Sequence, residues 1–167
     1  VMLYNLTKHG NRKVIFILGK GRLLNQSIVS KKPNALFCEA ACPVKVIEIA
    51  EEQFLQLMEQ SHALTRAVLR EYERNLWRMG HQLKNTTGNM QMERKIAAKL
   101  WKLGRDFGID TEDGKMIDID LTITLMADLV GAPRENVSRA CKVLTDRGLI
   151  RYGNKRFILI DFDGLAK

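Results

Sequence analysis

The chain has 167 residues, of which 46% are hydrophobic and 28% charged, a balance typical of a globular protein with a substantial core. No apolar run approaches the roughly 20 residues that cross a bilayer, and the N-terminus lacks the basic and apolar regions of a signal peptide. The net charge of +8 indicates an anionic partner such as nucleic acid.

The cysteines Cys38, Cys42 and Cys141 form an odd and sparse set, which fits a reducing cytoplasm better than a disulfide scaffold. Cys38 and Cys42 have no further metal ligands near them in the sequence. We therefore interpret both as core cysteines, with redox or metal sensing as the alternative. The sequence shows no catalytic triad, paired carboxylates or phosphate-binding loop, so we assign no enzymatic activity, no metal and no cofactor.

Residues 1–50 have the pattern of a β-rich domain. A turn at Gly10-Asn11 precedes the apolar run Val14–Leu18, and the run Val44–Ile49 is a second candidate strand. A short amphipathic helix is predicted over residues 51–60.

A long helix is predicted from Ser61, its N-cap, to a polar hinge at residues 85–89. Its apolar side chains recur at alternating spacings of three and four residues, the heptad pattern by which two helices pair. These side chains are Leu69, Tyr72, Leu76, Met79 and Leu83. The pattern predicts dimerisation, and packing of the stripe on its own domain is the alternative. Arginines at every fourth position from Arg66 to Arg78 are predicted to form a solvated face.

Residues 89–167 are predicted to form a further domain. A helix over residues 90–107 ends at Gly108, and apolar and acidic residues alternate over residues 117–121, which predicts a half-buried strand. Residues 134–156 then hold seven Lys or Arg against two Asp or Glu. The positive charge is therefore concentrated near the C-terminus.

Residues 121–145 have the pattern of a helix-turn-helix. Thr122 is a predicted N-cap, Gly131 supplies the left-handed residue of a tight turn, and Pro133 suits the first position of a second helix. The residues predicted to be buried are Ile123, Met126, Ala127 and Val130 in the first helix, and Val137, Ala140, Cys141 and Leu144 in the second.

The opposite face of the second helix is polar, and we predict that it reads base edges. The predicted base-reading residues are Arg134, Glu135, Ser138 and Arg139. They supply directional donors and acceptors on a helix that fits a major groove about 12 Å wide. Arg134 and Glu135 lie in the N-terminal turn, the part of a reading helix that enters the groove first.

A hairpin follows the second helix. Leu149–Tyr152 and Lys155–Ile160 are predicted strands joined by a Gly153-Asn154 turn, which would form a wing beside the helix-turn-helix. Polar side chains on the wing and the two helices are candidate ligands for backbone phosphates. These candidates are Thr122, Lys142, Arg151, Lys155 and Arg156.

The order of these parts resembles the CRP/FNR family of bacterial transcription regulators. The most specific match is Arg134-Glu135-x-x-Ser138-Arg139, followed by Leu144 and Gly148-Leu149-Ile150, and it is more similar to the FNR type of reading helix. The resemblance implies an α+β fold in three parts. These are part of a cupin-like β-roll (a double-stranded β-helix) over residues 1–60, a long dimerisation helix and hinge over 61–88, and a winged helix-turn-helix over 89–167.

The resemblance further implies a homodimer that binds a palindromic site in double-stranded DNA, an effector that acts at the β-roll, and RNA polymerase as a partner. Members of the family have further N-terminal residues that complete the β-roll. This agrees with a chain that opens on Val1 rather than Met, and we expect an N-terminal part to be missing.

The sequence departs from the cyclic-nucleotide-binding members. Their phosphate cassette contains a Gly-Glu pair, and this chain has Asn25-Gln26 at that place. The cassette also contains a later Arg, and near the corresponding position this chain has Asn34. We therefore expect no cyclic nucleotide, and the effector stays unidentified. The leading hypothesis is a DNA-binding regulator. The alternative is a redox- or small-molecule-sensing module whose winged helix binds protein rather than DNA.

Overall fold

The computed structural model describes residues 1–8, 10–25, 27–30, 32–86 and 90–166, without the side chains of residues 84–86 and 166. The chain divides into two compact units. The first unit comprises Val1–Asn5 and Ile15–Lys84, and the second comprises Leu6–Val14 and Asn85–Lys167. No described helix is long and apolar enough to span a bilayer.

A three-stranded sheet has β1 (Met2–Leu6) between β2 (Arg12–Ile17) and β3 (Phe37–Glu39). Most of this sheet belongs to the first unit, whereas Leu6 and the residues Arg12–Val14 of β2 belong to the second. The predicted strand at Val14–Leu18 corresponds to β2. The core cluster of this sheet consists of Leu3, Phe16 and Leu18.

The strand predicted at Val44–Ile49 is wrong. Residues 43–50 have no regular secondary structure and are exposed, whereas the third strand is Phe37–Glu39. An alternating pattern produces a strand only when another strand pairs with it, and none of the described strands does so here. The interpretation of Cys38 and Cys42 as core cysteines is also wrong, because both side chains are exposed.

Two helices complete this part of the chain, α1 (Glu51–Gln60) and α2 (His62–Thr86), as predicted. Ser61 separates them. Its N–H donates to Leu57 O at 3.0 Å, and its hydroxyl accepts from Leu64 N–H at 3.2 Å, which confirms Ser61 as the N-cap of α2.

The prediction of a solvated arginine face is wrong at Arg78, which is buried and lies on the side of the helix turned toward its own unit. The predicted hinge begins at residue 85, but α2 continues through Thr86, and residues 87–89 lie outside the described residues.

The second unit contains three helices and a four-stranded antiparallel sheet. The helices are α3 (Met92–Phe107), α4 (Ile123–Val130) and α5 (Arg134–Asp146), and a 3₁₀ turn follows at Gly164–Ala166. The strands are β4 (Gly108–Thr111), β5 (Gly114–Ile117), β6 (Ile150–Gly153) and β7 (Arg156–Leu159), arranged in the order β4-β5-β7-β6.

The helix α3 forms the centre of this unit. Ile96 and Leu100 are fully buried, and α3 packs against α4, α5 and the sheet. Its end at Gly108 confirms the prediction. The strand predicted over residues 117–121 is wrong in its placement, because β5 ends at Ile117. Beyond that residue the backbone leaves the sheet, and Leu121 N–H donates to Lys155 O at 2.7 Å instead.

We predict that Gly104 is required by the packing of α3 on the sheet. A Cβ at this position would lie 2.5 Å from Leu159 Cδ1 and 3.0 Å from Phe162 Cε2, and Leu159 is fully buried. Gly104→Ala should therefore destabilise the protein by about 1–3 kcal/mol, because overpacking outweighs the gain in helix propensity. Urea unfolding measures this change.

The matched control is Gly80→Ala. Gly80 lies within α2, and a Cβ there would meet nothing within 4 Å. This substitution should stabilise the protein by about 0.5–1 kcal/mol through helix propensity alone. A Gly104→Ala variant as stable as the Gly80→Ala variant would contradict the packing described above.

Candidate DNA-binding interface

A tight turn that begins at Gly131 joins α4 to α5. Thr122 Oγ1 accepts from Leu125 N–H at 3.0 Å and caps the start of α4. At the other end Gly131 has a φ of 72°, and its N–H donates to Ala127 O at 2.7 Å. Both caps confirm the predictions. Pro133 is the N-cap of α5 and not its first residue, so the helix begins one residue later than predicted, a difference within the normal scatter of helix ends.

The inner face of α5 is the predicted one. Val137, Ala140, Cys141 and Leu144 are all at most 5% exposed. The inner face of α4 differs from the prediction, because Leu125 and Leu129 are buried while Ile123 and Val130 are only half-buried. Six of the eight residues of α4 are apolar, so their spacing could not define which side faces the core.

The outer face of α5 carries the predicted base-reading set. The exposed side chains are Arg134, Glu135, Ser138, Arg139 and Lys142. They cover the side of the helix opposite the core, where guanidinium, carboxylate and hydroxyl groups are available to another molecule. This arrangement has the chemistry that direct readout of base edges requires.

Asn136 was not predicted as part of this face. Arg139 Nη2 donates to Asn136 Oδ1 at 2.6 Å, within the same turn of the helix. The hydrogen bond holds the guanidinium of Arg139 along the helix surface. The signal in the sequence was the spacing of three residues, which places two side chains on the same side of a helix.

The wing is the hairpin of β6 and β7, and its turn differs from the prediction by one residue. Gly153 pairs with Arg156 inside the sheet, and the turn consists of Asn154 and Lys155, with φ values of 49° and 60°. Two positive φ angles are typical of a tight hairpin turn, and Lys rarely adopts one. The register of the two strands determines the turn, and it leaves the Lys155 side chain exposed at the tip.

The candidate phosphate ligands differ in how their charges are used. Arg151 Nη2 lies 3.0 Å from Asp113 Oδ2. Arg156 pairs with Asp118 and lies 3.7 Å from Asp120 Oδ1. The hydroxyl of Thr122 is occupied by its capping bond. Lys142 and Lys155, in contrast, are exposed and form no ion pair with any residue that the structure describes. Their charges are thus the most available ones.

Cys141 lies on the inner face of α5. Burial raises the pKa of its thiol to about 11, so the thiol stays protonated at neutral pH. A protonated and buried thiol is a poor nucleophile and a poor metal ligand. This agrees with the prediction that Cys141 has a packing role.

The predicted dimer seam lies on α2, in the first unit. All five of its side chains are exposed, from 37% for Tyr72 to 72% for Leu76. Val68 and Arg78 on the same helix are buried. The apolar seam therefore faces away from the described residues of its own chain.

Comparison with known proteins gives relatives of one kind. The profile of the Crp-like helix-turn-helix domain matches residues 94–167. The chain is 24% identical to the CRP-like cAMP-activated global transcriptional regulator of Mycobacterium tuberculosis, over 95% of this chain and 70% of that protein. It is also 24% identical to the transcriptional regulator SdrP of Thermus thermophilus, over 100% of this chain and 78% of that protein.

Solved structures share the fold. TTHA1359, a CRP/FNR-family regulator of Thermus thermophilus, superposes with a TM-score of 0.77 at 20% identity, over 99% of this chain and 80% of that chain. This similarity confirms the predicted α+β fold with an N-terminal sheet, a long helix and a C-terminal winged helix-turn-helix. Residues 94–167 form a Crp-like helix-turn-helix domain, and over nearly its whole length the chain is similar to transcription regulators of the CRP/FNR type.

Proposed function

We propose that this chain acts as a homodimer that reads a palindromic DNA site through α5, under the control of an effector bound by the first unit, with RNA polymerase as a further partner. The observation that carries the proposal is the division of α5 into two faces. The inner face is buried in the domain core, and the outer face presents Arg134, Glu135, Ser138 and Arg139 to solvent.

Each outer residue has a role that follows from its chemistry. The guanidinium of Arg139, held by Asn136, can donate two parallel hydrogen bonds to a guanine edge, and Arg134 can do the same one turn earlier. Glu135 can accept from a cytosine amino group, and Ser138 can bond either a base or a phosphate. The set thus combines donors and acceptors, as sequence-specific readout requires.

We expect Arg139→Ala to weaken binding to the preferred site by about 1–3 kcal/mol and to relax base preference at one position of each half-site. Selection of bound sequences from a random DNA library, followed by titration of the selected duplex, measures both effects. Arg147→Ala is the matched control, because it removes the same charge just after α5 at an exposed position. Equal weakening of Arg139→Ala on every sequence would contradict base reading.

We assign the main phosphate contacts to Lys142 and Lys155, because these two exposed ammonium groups have no acidic partner among the described residues. Arg151 and Arg156 are secondary candidates, because each would have to share its charge with an aspartate. Thr122 could add a contact through the backbone of the helix start that it caps.

Lys155→Ala should weaken binding similarly on all sequences and reduce the slope of log K against log salt by about one. Arg156→Ala is the comparison, and it should change the slope less, because neighbouring aspartates already neutralise this charge. Titrations of one duplex at several salt concentrations give the slopes. A larger effect for Arg156 than for Lys155 would reverse the assignment.

The proposed dimer pairs the two α2 helices along the exposed seam. The seam repeats over 15 residues of a 25-residue helix and ends at Leu83. A symmetric pair would present two copies of α5, and we expect their half-sites to be separated by about 34 Å, one turn of DNA. Exposed leucines at 60–72% would then be covered.

Leu76→Glu combined with Leu83→Glu should convert the dimer to a monomer, because four carboxylates would meet in the apolar seam. Analytical ultracentrifugation measures the mass. The control is Arg70→Glu, which places a carboxylate at an exposed position outside the seam of the same helix. A double variant that remains dimeric would refute the heptad argument.

The proposed effector region is bounded by residues 14–30 and by α2 near Tyr72 and Trp77. Arg22 Nη1 lies 3.0 Å from Glu71 Oε2 here, and each side chain is only 12% exposed. Burial raises the pKa of Glu71, an effect that the charge of Arg78 opposes. A cyclic nucleotide phosphate would have to compete with this internal carboxylate for the arginine.

The cassette residues support the same expectation. Asn34 Oδ1 accepts from Ser27 N–H at 3.2 Å and thus closes its loop internally, and Gln26 lies outside the described residues. We therefore do not expect the effector of this chain to be cAMP, the activator named for the mycobacterial relative.

A further inference from the structure

The second unit includes a segment from the N-terminal part of the chain. Residues 6–14 belong to the same compact unit as α4 and α5, although they are distant from both helices in the sequence. The segment is the end of the hairpin formed by β1 and β2. Thr7 N–H donates to Asn11 O at 2.9 Å, and Asn11 N–H donates to the Thr7 hydroxyl at 3.1 Å. These bonds close the turn and fix the start of β2, which consists of Arg12 and Lys13.

The C-terminal end of α4 lacks the charge that a helix end of this kind favours. Its last turn contains Asp128 and no basic residue, whereas the helix dipole favours cations here. The last carbonyls of a helix also have no partner within the helix itself. Gly131 N–H and Ala132 N–H both donate to Ala127 O, at 2.7 and 3.2 Å. This local cap leaves Leu129 O for a donor from elsewhere in the chain.

Arg12 and Lys13 bring two cations to this helix end. Arg12 Nε donates to Asp128 Oδ2 at 2.9 Å, and the two side chains are only 30% and 20% exposed. Lys13 Nζ donates to Leu129 O at 3.0 Å. The same lysine lies against Gly131, since a Cβ on that glycine would be 2.8 Å from Nζ. These three contacts meet at one end of α4, and we call them the α4 clamp.

The α4 clamp lies at the turn that leads into the reading helix. Gly131 begins this turn, and Arg134 and Glu135 are in the first turn of α5. The helix α4 has only eight residues, and isolated helices shorter than about 12 residues are marginal in water. Contacts from outside the helix therefore decide whether its last turn stays formed. A loosened end of α4 would also loosen the start of α5.

We propose that Arg12 and Lys13 are positioning residues of the helix-turn-helix. They hold the end of α4 and thereby orient the start of α5 for DNA, without touching the DNA themselves. The role assigned to these residues rests on the proposed reading of DNA by α5. The opposite expectation is that both cations attract phosphates directly, and the two cases differ in their response to a change of charge at Asp128.

A charge swap tests the α4 clamp. Titrations of a selected duplex with the full chain compare the wild type, Arg12→Asp, Asp128→Arg and the double variant. Each single substitution should weaken binding about fivefold or more, because it brings like charges together at the end of α4. The double variant restores opposite charges and should bind within about twofold of the wild type. A double variant as weak as the weaker single variant would overturn the proposal.

The response to Asp128→Arg separates positioning from direct contact. This substitution replaces a negative charge with a positive one, so a region that touched phosphates would bind DNA more tightly. Weaker binding supports the α4 clamp, and unchanged or tighter binding would overturn it. Lys13→Met should likewise weaken binding at an unchanged slope of log K against log salt. A slope lower by about one would identify Lys13 as a phosphate ligand and would contradict its positioning role.

The matched control is Lys8→Gln, which removes an exposed charge from the turn of the same hairpin. It should bind as the wild type does, and an equal loss would show a diffuse charge effect and overturn the α4 clamp. Hydrogen–deuterium exchange without DNA gives a separate readout. The amide of Gly131 should exchange faster in Asp128→Arg and regain protection in the double variant. A wild type that binds no duplex would contradict the proposed function and this role with it, whereas unchanged exchange in Asp128→Arg would contradict the clamp alone.

Discussion

Val137, Ala140, Cys141 and Leu144 hold one face of α5 against the core around α3, and their burial fixes the direction in which the polar residues of α5 point. Full burial of a Val or Leu side chain contributes roughly 1.5–3 kcal/mol, and the smaller side chains contribute less. A rotation of α5 by one residue, about 100°, would bring charged groups such as Arg139 toward the core. The same apolar packing that stabilises the domain therefore also specifies which side chains can meet DNA.

Acidic residues around the sheet of this unit neutralise part of the positive charge of the wing. Asp113 pairs with Arg151, and Asp118 with Asp120 pairs with Arg156. A count of charges along the chain indicates one strongly basic segment. Within it the wing arginines Arg151 and Arg156 pair with aspartates, whereas Lys142 and Lys155 form no ion pair with the residues that the structure describes. Net charge in a segment thus indicates the sign of a partner better than it identifies contacts.

The features that could be predicted from sequence are those whose stabilising atoms lie within a few residues. The caps at Ser61, Thr122 and Gly131 and the two faces of α5 belong to this class, since their hydrogen bonds and periodicity are local. The exposed base-reading set could be located for the same reason, although its contacts with DNA stay a prediction.

Most of the predictions that failed concern features that depend on residues far away in the sequence. The residues expected to form a strand at Val44–Ile49 have the right alternation, but none of the strands that the structure describes pairs with them. The short strand Phe37–Glu39, in contrast, forms because β1 lies beside it. The wing turn lies at Asn154-Lys155 and not at Gly153-Asn154, because the pairing of β6 with β7 sets the register. The bond from Arg139 to Asn136 was local but ambiguous, since many neighbours on a helix could pair in this way.

The helix α2 has a polar side that is buried and an apolar side that is exposed. Its inner side holds buried Arg78 and the ion pair of Glu71 with Arg22, whereas its outer side exposes Leu69, Leu76 and Leu83, the reverse of the usual distribution. An apolar stripe of this kind is costly in water and is typical of a surface that another molecule covers, which supports the proposed second copy. The inner ion pair gains little net stability, because desolvation offsets most of its attraction. A ligand that takes Arg22 or Glu71 from its partner would leave the other charge unpaired in a largely buried place, which is costly. Such a ligand must therefore also supply the charge that it displaces, and this is the physical condition under which the proposed effector could act.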